Sequence, residues 1–116
     1  MGNAVHMFSE KKAMRKLMTD YYVIVDVQID KPEEYKEYMA LARPAVERFG
    51  GEYLVRGGAF NVVEGTHLQP RRLVMLKFPS KQNFDDFYAS NDYQKARAVR
   101  LPLSDMTMIG VEGFAG

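Results

Sequence analysis

The sequence predicts a single α+β domain in which helices cover one face of a four-stranded antiparallel sheet. Segments rich in β-branched and aromatic residues alternate with segments of helical periodicity in the order strand, helix, strand, strand, helix, strand. This order is the ferredoxin-like βαββαβ pattern. The length of 116 residues fits one domain with one core. The third strand also carries apolar residues on both faces, which predicts a second cover for the sheet.

The first strand is predicted over Tyr21–Ile29, where aromatic and β-branched residues dominate. Its odd-numbered residues form one wholly apolar face, because successive side chains of a strand point to opposite sides. Its even-numbered face is mixed, since Asp26 and Gln28 interrupt the apolar residues. The odd-numbered face is therefore expected to lie in the core.

The first helix follows this strand. Asp30 and Glu33 have the spacing of a capping box, and Pro32 is tolerated in a first turn. Pro44 falls inside the helical pattern and cannot donate a backbone hydrogen bond. A kink or a break near Leu41 is expected for that reason.

The middle of the chain contains two further strands. The paired glycines Gly50-Gly51 end the helix, and a strand is predicted over Glu52–Arg56. Asn61–Glu64 is predicted as a short extended piece before a loop. Leu73–Phe78 is predicted as the third strand, with apolar side chains on both faces.

The last third of the chain is predicted to hold helix and then strand. Ser80 can cap a helix, and Ser90 or Asn91 can restart it. Pro102 stops the helical pattern, and Met106–Phe114 is predicted as the last strand.

Both faces of the third strand, and partly of the first, are apolar, but the helices cover one face of the sheet. An uncovered second face would be a contiguous apolar patch, which is rare in stable monomers. Pairing two sheets across a two-fold axis removes the patch, so the partner expected is a second copy of the chain. The expected architecture is therefore a dimeric α+β barrel.

Composition narrows the possible functions. Residues 21–116 form the predicted domain, and the locally basic residues 1–20 are expected to be a flexible extension. The chain has no cysteine, and its two histidines are far apart in sequence, so we expect no metal site. A net charge of +1 gives no general attraction to nucleic acid, and no apolar run approaches a bilayer span. We therefore expect neither as a partner, and a cytoplasmic location.

A set of short motifs runs in order through the predicted domain. They are Gly50–Gly58 (GGEYLVRGG), Glu64-Gly65, Pro70–Val74, Phe78–Ser80, Ser90–Gln94, Arg97, Arg100 and Val111–Gly113. With them the chain resembles a bacterial family, domain of unknown function 1330, in the dimeric α+β barrel superfamily. The resemblance implies a ferredoxin-like dimer, and it implies no particular reaction and no cofactor. His67-Leu68 departs from the family pattern, in which a tryptophan follows the Glu-Gly pair.

Three arginines are candidates for holding an anion: Arg56, Arg72 and Arg100. Arg56 ends a strand beside two glycines, which let the backbone turn sharply or approach a ligand. The alternative for Arg56 is an ion pair with Glu64 that fixes the turn. Arg100 follows Arg97 at helical spacing, with Tyr93 two turns before it. These residues form a site for a carboxylate or enolate, with the Tyr93 hydroxyl as donor, or else a solvated ridge or a set of salt bridges across the dimer.

Three residues are candidates for moving a proton: Glu64, Tyr93 and His67. Glu64 would stay ionised as a bridge between Arg56 and Arg72, and in a dry pocket it would instead act as a general base. The bridging role is the one we expect. His67 lies in a loop, where its near-neutral reference pKa suits acid–base work or simple exposure.

Two functions fit these residues. The first is a cofactor-independent enzyme that acts on a small acidic or carbonyl-containing molecule. The second is a non-catalytic dimer that binds a small ligand or a protein. A single cavity lined by Arg56, Glu64, Arg72 and Tyr93 would favour the enzyme. The same residues locked in pairs would favour the binding protein.

Overall fold

The structure is a computed structural model that describes residues 19–116, and its element order is the predicted one. The elements are β1 (Tyr21–Ile29), α1 (Pro32–Arg48), β2 (Glu52–Arg56), β3 (Leu73–Phe78), α2 (Lys81–Ala89), α3 (Asn91–Arg100) and β4 (Ser104–Glu112). The predicted flexible extension, residues 1–20, lies outside the described residues except for Thr19 and Asp20.

The four strands form one sheet in the order β2-β3-β1-β4. Every neighbouring pair is antiparallel, and β1 lies between β3 and β4. This order confirms the ferredoxin-like fold, because the two strands joined by each helix-containing connection are not neighbours in the sheet.

The core lies between one face of the sheet and the helices. The predicted apolar face of β1 is buried there, with Val23, Val25 and Val27 each no more than 2% exposed. Tyr35 and Val46 are the largest fully buried side chains of α1. The prediction that the odd-numbered face of β1 lies in the core is therefore confirmed.

The start and the middle of α1 differ from expectation. The N-cap is Lys31, which has no side-chain capping bond, so the capping box of Asp30 and Glu33 is wrong. Pro32 explains the difference, because the residue before a proline is pushed into an extended conformation and cannot be helical. Pro44 does not break the helix, which continues through it to Arg48. Buried residues on both sides of Pro44 anchor the helix to the sheet.

The bounds of the last strand are also corrected, whereas Asn61–Glu64, predicted only as an extended piece, belongs to no strand of the described sheet. Residues 57–72 contain no strand, and Val63 is 89% exposed. β4 runs from Ser104 to Glu112, two residues earlier at each end than predicted. Its only neighbour is β1, whose two ends pair with those residues, so the length of β1 limits the length of β4.

Serine caps divide the second helical segment as predicted. The Ser80 hydroxyl oxygen accepts a hydrogen bond from the backbone N–H of Asn83 at 3.1 Å. Ser90 accepts one from the N–H of Tyr93 at 3.1 Å and donates to the carbonyl of Phe87 at 2.6 Å. The double role of Ser90 ends α2 and begins α3 in one residue.

No helix of residues 19–116 covers the second face of the sheet. Met75, Ile24 and Ile109 are in register across β3, β1 and β4 and form an apolar row at its centre. Ile24 is 36% exposed and Ile109 is 54% exposed. Within residues 19–116, no helix has both the length and the apolar character needed to cross a membrane.

The tight packing where α1 meets β3 yields a stability prediction. A methyl group on Gly51 would lie 2.7 Å from Cε1 of Phe78 and 2.8 Å from Cγ1 of Val46, whereas one on Gly58 would meet nothing within 4 Å. We expect Gly51→Ala to lower the free energy of unfolding by about 1–3 kcal/mol through overpacking, and Gly58→Ala to leave it nearly unchanged. Urea unfolding at one protein concentration checks this, and equal midpoints for the two variants would contradict the packing described.

Candidate functional site

A cavity of about 40 Å³ lies between the sheet and the helices. It has room for about three water molecules at the ~10–15 Å³ that each requires. Its polar lining consists of Arg56, Arg72, Tyr35, Tyr38, Tyr53 and Tyr93. The remaining wall is aliphatic, phenylalanine and methionine, and methionine side chains adapt readily to a ligand.

Arg56 and Arg72 reach the cavity from the same end of the sheet. Arg56 is the last residue of β2 and pairs with Val74, two residues after Arg72. Arg56 is exposed and its guanidinium lies 4.9 Å from the centre of the Tyr53 ring, a cation–π contact. Because it is the exposed member of the lining, Arg56 marks the side on which the cavity meets solvent.

The position of Arg72 is fixed by its backbone. The carboxylate of Asp26 accepts hydrogen bonds from the N–H groups of Arg71 and Arg72 at 2.8 and 3.2 Å. Gly57 has a φ of +72°, and a side chain there would collide with the Arg72 guanidinium. Asp26 and Gly57 thus position Arg72, a role that the sequence did not assign to either residue.

A buried hydrogen-bonded chain joins α1 and α3. Nε of Arg100 donates to the hydroxyl oxygen of Tyr93 at 3.2 Å, and the hydroxyls of Tyr93 and Tyr38 lie 3.1 Å apart. The Arg100 guanidinium also lies 5.8 Å from the centre of the Tyr38 ring. The three residues are 7%, 1% and 8% exposed, respectively, for Arg100, Tyr93 and Tyr38.

Burial governs the ionisation of the tyrosines. It raises the pKa of Tyr35 to about 12, although the nearby charges of Arg72 and Arg100 act in the opposite direction. Burial also raises the pKa of Tyr38, and the neighbouring Tyr93 adds to the effect. The pKa of Tyr53 is raised by burial as well. These phenols therefore remain protonated at neutral pH, as hydrogen-bond donors.

The charges around the cavity are not balanced. None of Arg56, Arg72 and Arg100 forms an ion pair with a carboxylate of residues 19–116, whereas six other basic residues do so. Those residues are Lys36, Arg43, Arg48, Arg71, Lys77 and Lys81. The cavity lining contains no Asp, Glu or His in the part of the chain described. The site is therefore cationic and rich in hydrogen-bond donors, which suits an anion.

Glu64 and His67 are placed elsewhere. Both are exposed and line an open groove of about 480 Å³ within the loop between β2 and β3, which shares no residue with the cavity. Glu64 forms no ion pair with Arg56 or Arg72 among the described residues, so the bridge expected of it is wrong. The long β2–β3 loop carries Glu64 away from the sheet end that holds both arginines.

Of the alternatives for the polar residues of α3, the solvated ridge is wrong for Tyr93 and Arg100. Tyr93 and Arg100 are buried rather than solvated, because α3 packs against α1 along that face. Arg97 is partly buried, and its Nε has no hydrogen-bond partner in the described part of the chain. Of the six candidate site residues, the structure brings together Arg56, Arg72 and Tyr93 at the cavity, with Arg100 hydrogen-bonded to Tyr93.

Three cavity residues were missed at the sequence level: Tyr35, Tyr38 and Tyr53. Tyr35 and Tyr38 recur at helical spacing with the apolar residues of α1, which is typical of core positions, and both are buried, but a place in the core does not exclude a role in the site. The available signal was chemical, since a buried phenol requires a hydrogen-bond partner whereas Leu or Phe at the same position would not. Across residues 19–116, no three His, Asp or Glu residues form a group that could hold a metal ion.

Comparison with known proteins agrees with this geometry at the level of the fold. A family model described as "Domain of unknown function (DUF1330)" matches residues 20–114. No curated protein matches the chain.

Three solved structures illustrate the similarity. A protein of unknown function from Rhodopseudomonas palustris is 16% identical, with a TM-score of 0.69 over 93% of this chain and 92% of that one. SnoaB, a cofactor-independent oxygenase from Streptomyces nogalater, is 10% identical, with a TM-score of 0.59 over 83% and 94%. A dimeric ferredoxin-like protein of unknown function from Thermobifida fusca is 11% identical, with a TM-score of 0.52 over 82% and 92%. At these identities the likeness shows the fold alone.

The buried phenols predict a dependence of stability on alkaline pH. Below pH 10.0, the ordinary tyrosine pKa, Tyr35 is protonated in both folded and unfolded chains. Between that pH and about 12, the unfolded chain ionises first, so the free energy of unfolding falls as pH rises. Tyr35→Phe should make this fall shallower, which urea unfolding across the alkaline range measures. Identical pH slopes for the two proteins would contradict the assigned burial of the phenol.

Proposed function

This chain belongs to the domain of unknown function 1330 family, and from that premise we propose that it is a homodimer whose protomers each bind a small organic anion. The ligand occupies the cavity between the sheet and the helices together with its opening beside Arg56, and the adaptable methionine side chains of the wall move aside to admit a molecule larger than three waters. Arg72 and Arg56 hold the charge, and Arg100 contributes through Tyr93. The fold does not choose between catalysis and binding, because the same fold supports many activities.

One observation carries the proposal: three arginines at or beside one cavity lack carboxylate partners within residues 19–116. A buried positive charge is costly unless an opposite charge or several hydrogen bonds compensate it. Arg100 is 7% exposed, and among residues 19–116 its guanidinium donates to one phenol oxygen and lies against one aromatic ring. An anion in the cavity would supply the missing compensation.

We therefore keep the predicted role of Tyr93 and withdraw those of Glu64 and His67. Tyr93 is retained, because it lines the cavity and is hydrogen-bonded to Arg100. Glu64 and His67 do not reach the cavity of their own protomer, so we propose no proton transfer by them there. A cofactor-independent enzyme acting on an acidic or carbonyl-containing molecule remains compatible with this site. The solved structure of SnoaB offers an analogy of fold for such chemistry, and nothing more specific.

The proposed homodimer rests on the open face of the sheet. Its central row of Met75, Ile24 and Ile109 would be covered by the same row of a second protomer related by a two-fold axis. Polar residues, including Asp26 and Gln28, lie on the same face of β1 and would frame the apolar centre. The absence of cysteine suits a reducing compartment, and we infer a cytoplasmic location.

Benzoate is a suitable probe of anion binding, because it combines one carboxylate with one aromatic ring. We expect the protein to bind benzoate, and Arg72→Gln to weaken binding by roughly tenfold or more, as the loss of a charged hydrogen bond implies. Titration followed by nuclear magnetic resonance measures both affinities.

Arg48→Gln is the matched control. Arg48 is exposed and paired with Asp92 at 2.9 Å, so its neutralisation should leave benzoate affinity unchanged. Absence of benzoate binding by the native protein, or equal losses in both variants, would overturn the proposal of an anion site.

The dimer has a separate test. Ile109 on the open sheet face is 54% exposed, and Leu101 at the end of α3 is 51% exposed. We expect Ile109→Lys to yield monomers and Leu101→Lys to leave dimers, since only the first places a charge in the proposed apolar interface. Sedimentation velocity at micromolar concentration distinguishes the two. A monomeric native protein would contradict the dimer outright.

A further inference from the structure

We propose that the Arg100–Tyr93–Tyr38 chain forms a subsite for a single ionised oxygen, that of an enolate or phenolate, with Tyr38 as the donor. This inference rests on the proposed function and deepens it by naming the class of anion. It concerns the helix side of the cavity, where α1 and α3 meet, rather than the arginines at the end of the sheet.

A count of protons shows that one donor is spare. Tyr38 and Tyr93 have one hydroxyl proton each, and one hydrogen bond of 3.1 Å joins them. Whichever hydroxyl donates in that bond, the proton of the other has no partner among residues 19–116. Both tyrosines line the cavity, so the unused O–H has the cavity as its outlet.

Arg100 determines which proton is spare. Its Nε donates to the Tyr93 oxygen, which withdraws electron density and makes the Tyr93 hydroxyl a better donor toward Tyr38. The Tyr38 hydroxyl then points its own proton to a ligand. Tyr38 is 8% exposed and Tyr93 is 1% exposed, which is consistent with Tyr38 as the outer member of the chain.

The lining also restricts the state in which the ligand arrives. It includes arginine and tyrosine as polar groups and, in the described part of the chain, no Asp, Glu or His to remove a proton from carbon. The site would therefore select an oxygen that ionises readily in water. Its aromatic wall, including Phe78, Phe84 and Phe87, suits a planar ring over which the negative charge is spread.

A carboxylate is a poorer match for this subsite than for the arginines. One spare O–H serves one oxygen, whereas a carboxylate presents two oxygens and pairs best with the planar fork of a guanidinium. The two subsites together describe a hydroxyaryl or oxo acid, with its carboxylate toward Arg72 and its second oxygen toward Tyr38.

The probe is 4-nitrophenol, because only its ionised form absorbs visible light. The bound probe should have a lower pKa than the free probe, with the phenolate favoured over the phenol by roughly tenfold, as one charge-assisted hydrogen bond implies. Visible absorbance against pH, with and without saturating protein, measures the shift. Tyr38→Phe should abolish most of it, and Tyr93→Phe should reduce it and also serve if the first variant fails to fold.

Tyr88→Phe is the matched control, since the Tyr88 ring packs 5.4 Å from that of Tyr93 but Tyr88 belongs neither to the cavity lining nor to the hydrogen-bonded chain. It should preserve the shift. If benzoate binds through Arg72 while the pKa of bound 4-nitrophenol is unchanged, or is lowered equally in the Tyr38→Phe protein, the oxyanion subsite is wrong and the proposed function stands. If neither probe binds, both proposals fail.

Discussion

Arg100 is buried at the end of α3, and within residues 19–116 its guanidinium donates to the phenol oxygen of Tyr93 and lies against the ring of Tyr38. Removing this positive charge from water costs solvation free energy. A guanidinium cannot avoid that cost by losing its proton, because its pKa lies far above the physiological range. Two features of the helices bring Arg100, Tyr93 and Tyr38 together. The Ser90 cap begins α3 so that Tyr93 and Arg100, seven residues apart, lie on one face. The packing of α3 on α1 then brings Tyr38 within hydrogen-bonding distance.

The sheet has two apolar faces with different consequences. One face forms the core with the helices and holds Arg72 at the cavity through the hydrogen bonds of Asp26. The other face bears a central apolar row and has no cover within residues 19–116. Asp26 connects the two, since it lies on the open side of β1 yet fixes a residue of the site. Formation of the proposed dimer would therefore bury the group that positions Arg72, which links assembly to the geometry of the site.

Sequence patterning was sufficient for the fold, because periodicity and caps are local properties. The bounds of β1, β2 and β3 and the serine caps follow from residues that are close in sequence. Errors arose where a distant neighbour decides the outcome. Pairing with β1 sets the limits of β4, and the anchoring of α1 on the sheet overrides Pro44. The site was predicted only in part, because contacts between distant residues also determine which side chains meet there. The arginines in the sequence indicated that the site binds an anion. Contacts between residues far apart in sequence, such as the hydrogen bond between Tyr38 and Tyr93, cannot be predicted from residue spacing.

The central claim is that the cavity accepts an organic anion, and a crystal structure with 4-bromobenzoate tests it most directly. The anomalous signal of bromine locates the ring without reference to side-chain interpretation. The account predicts bromine inside the cavity between the sheet and α1, with the carboxylate in contact with Arg72 or Arg56. A cavity that holds only water or closes on its own side chains, with bromine confined to the outer surface, would contradict it.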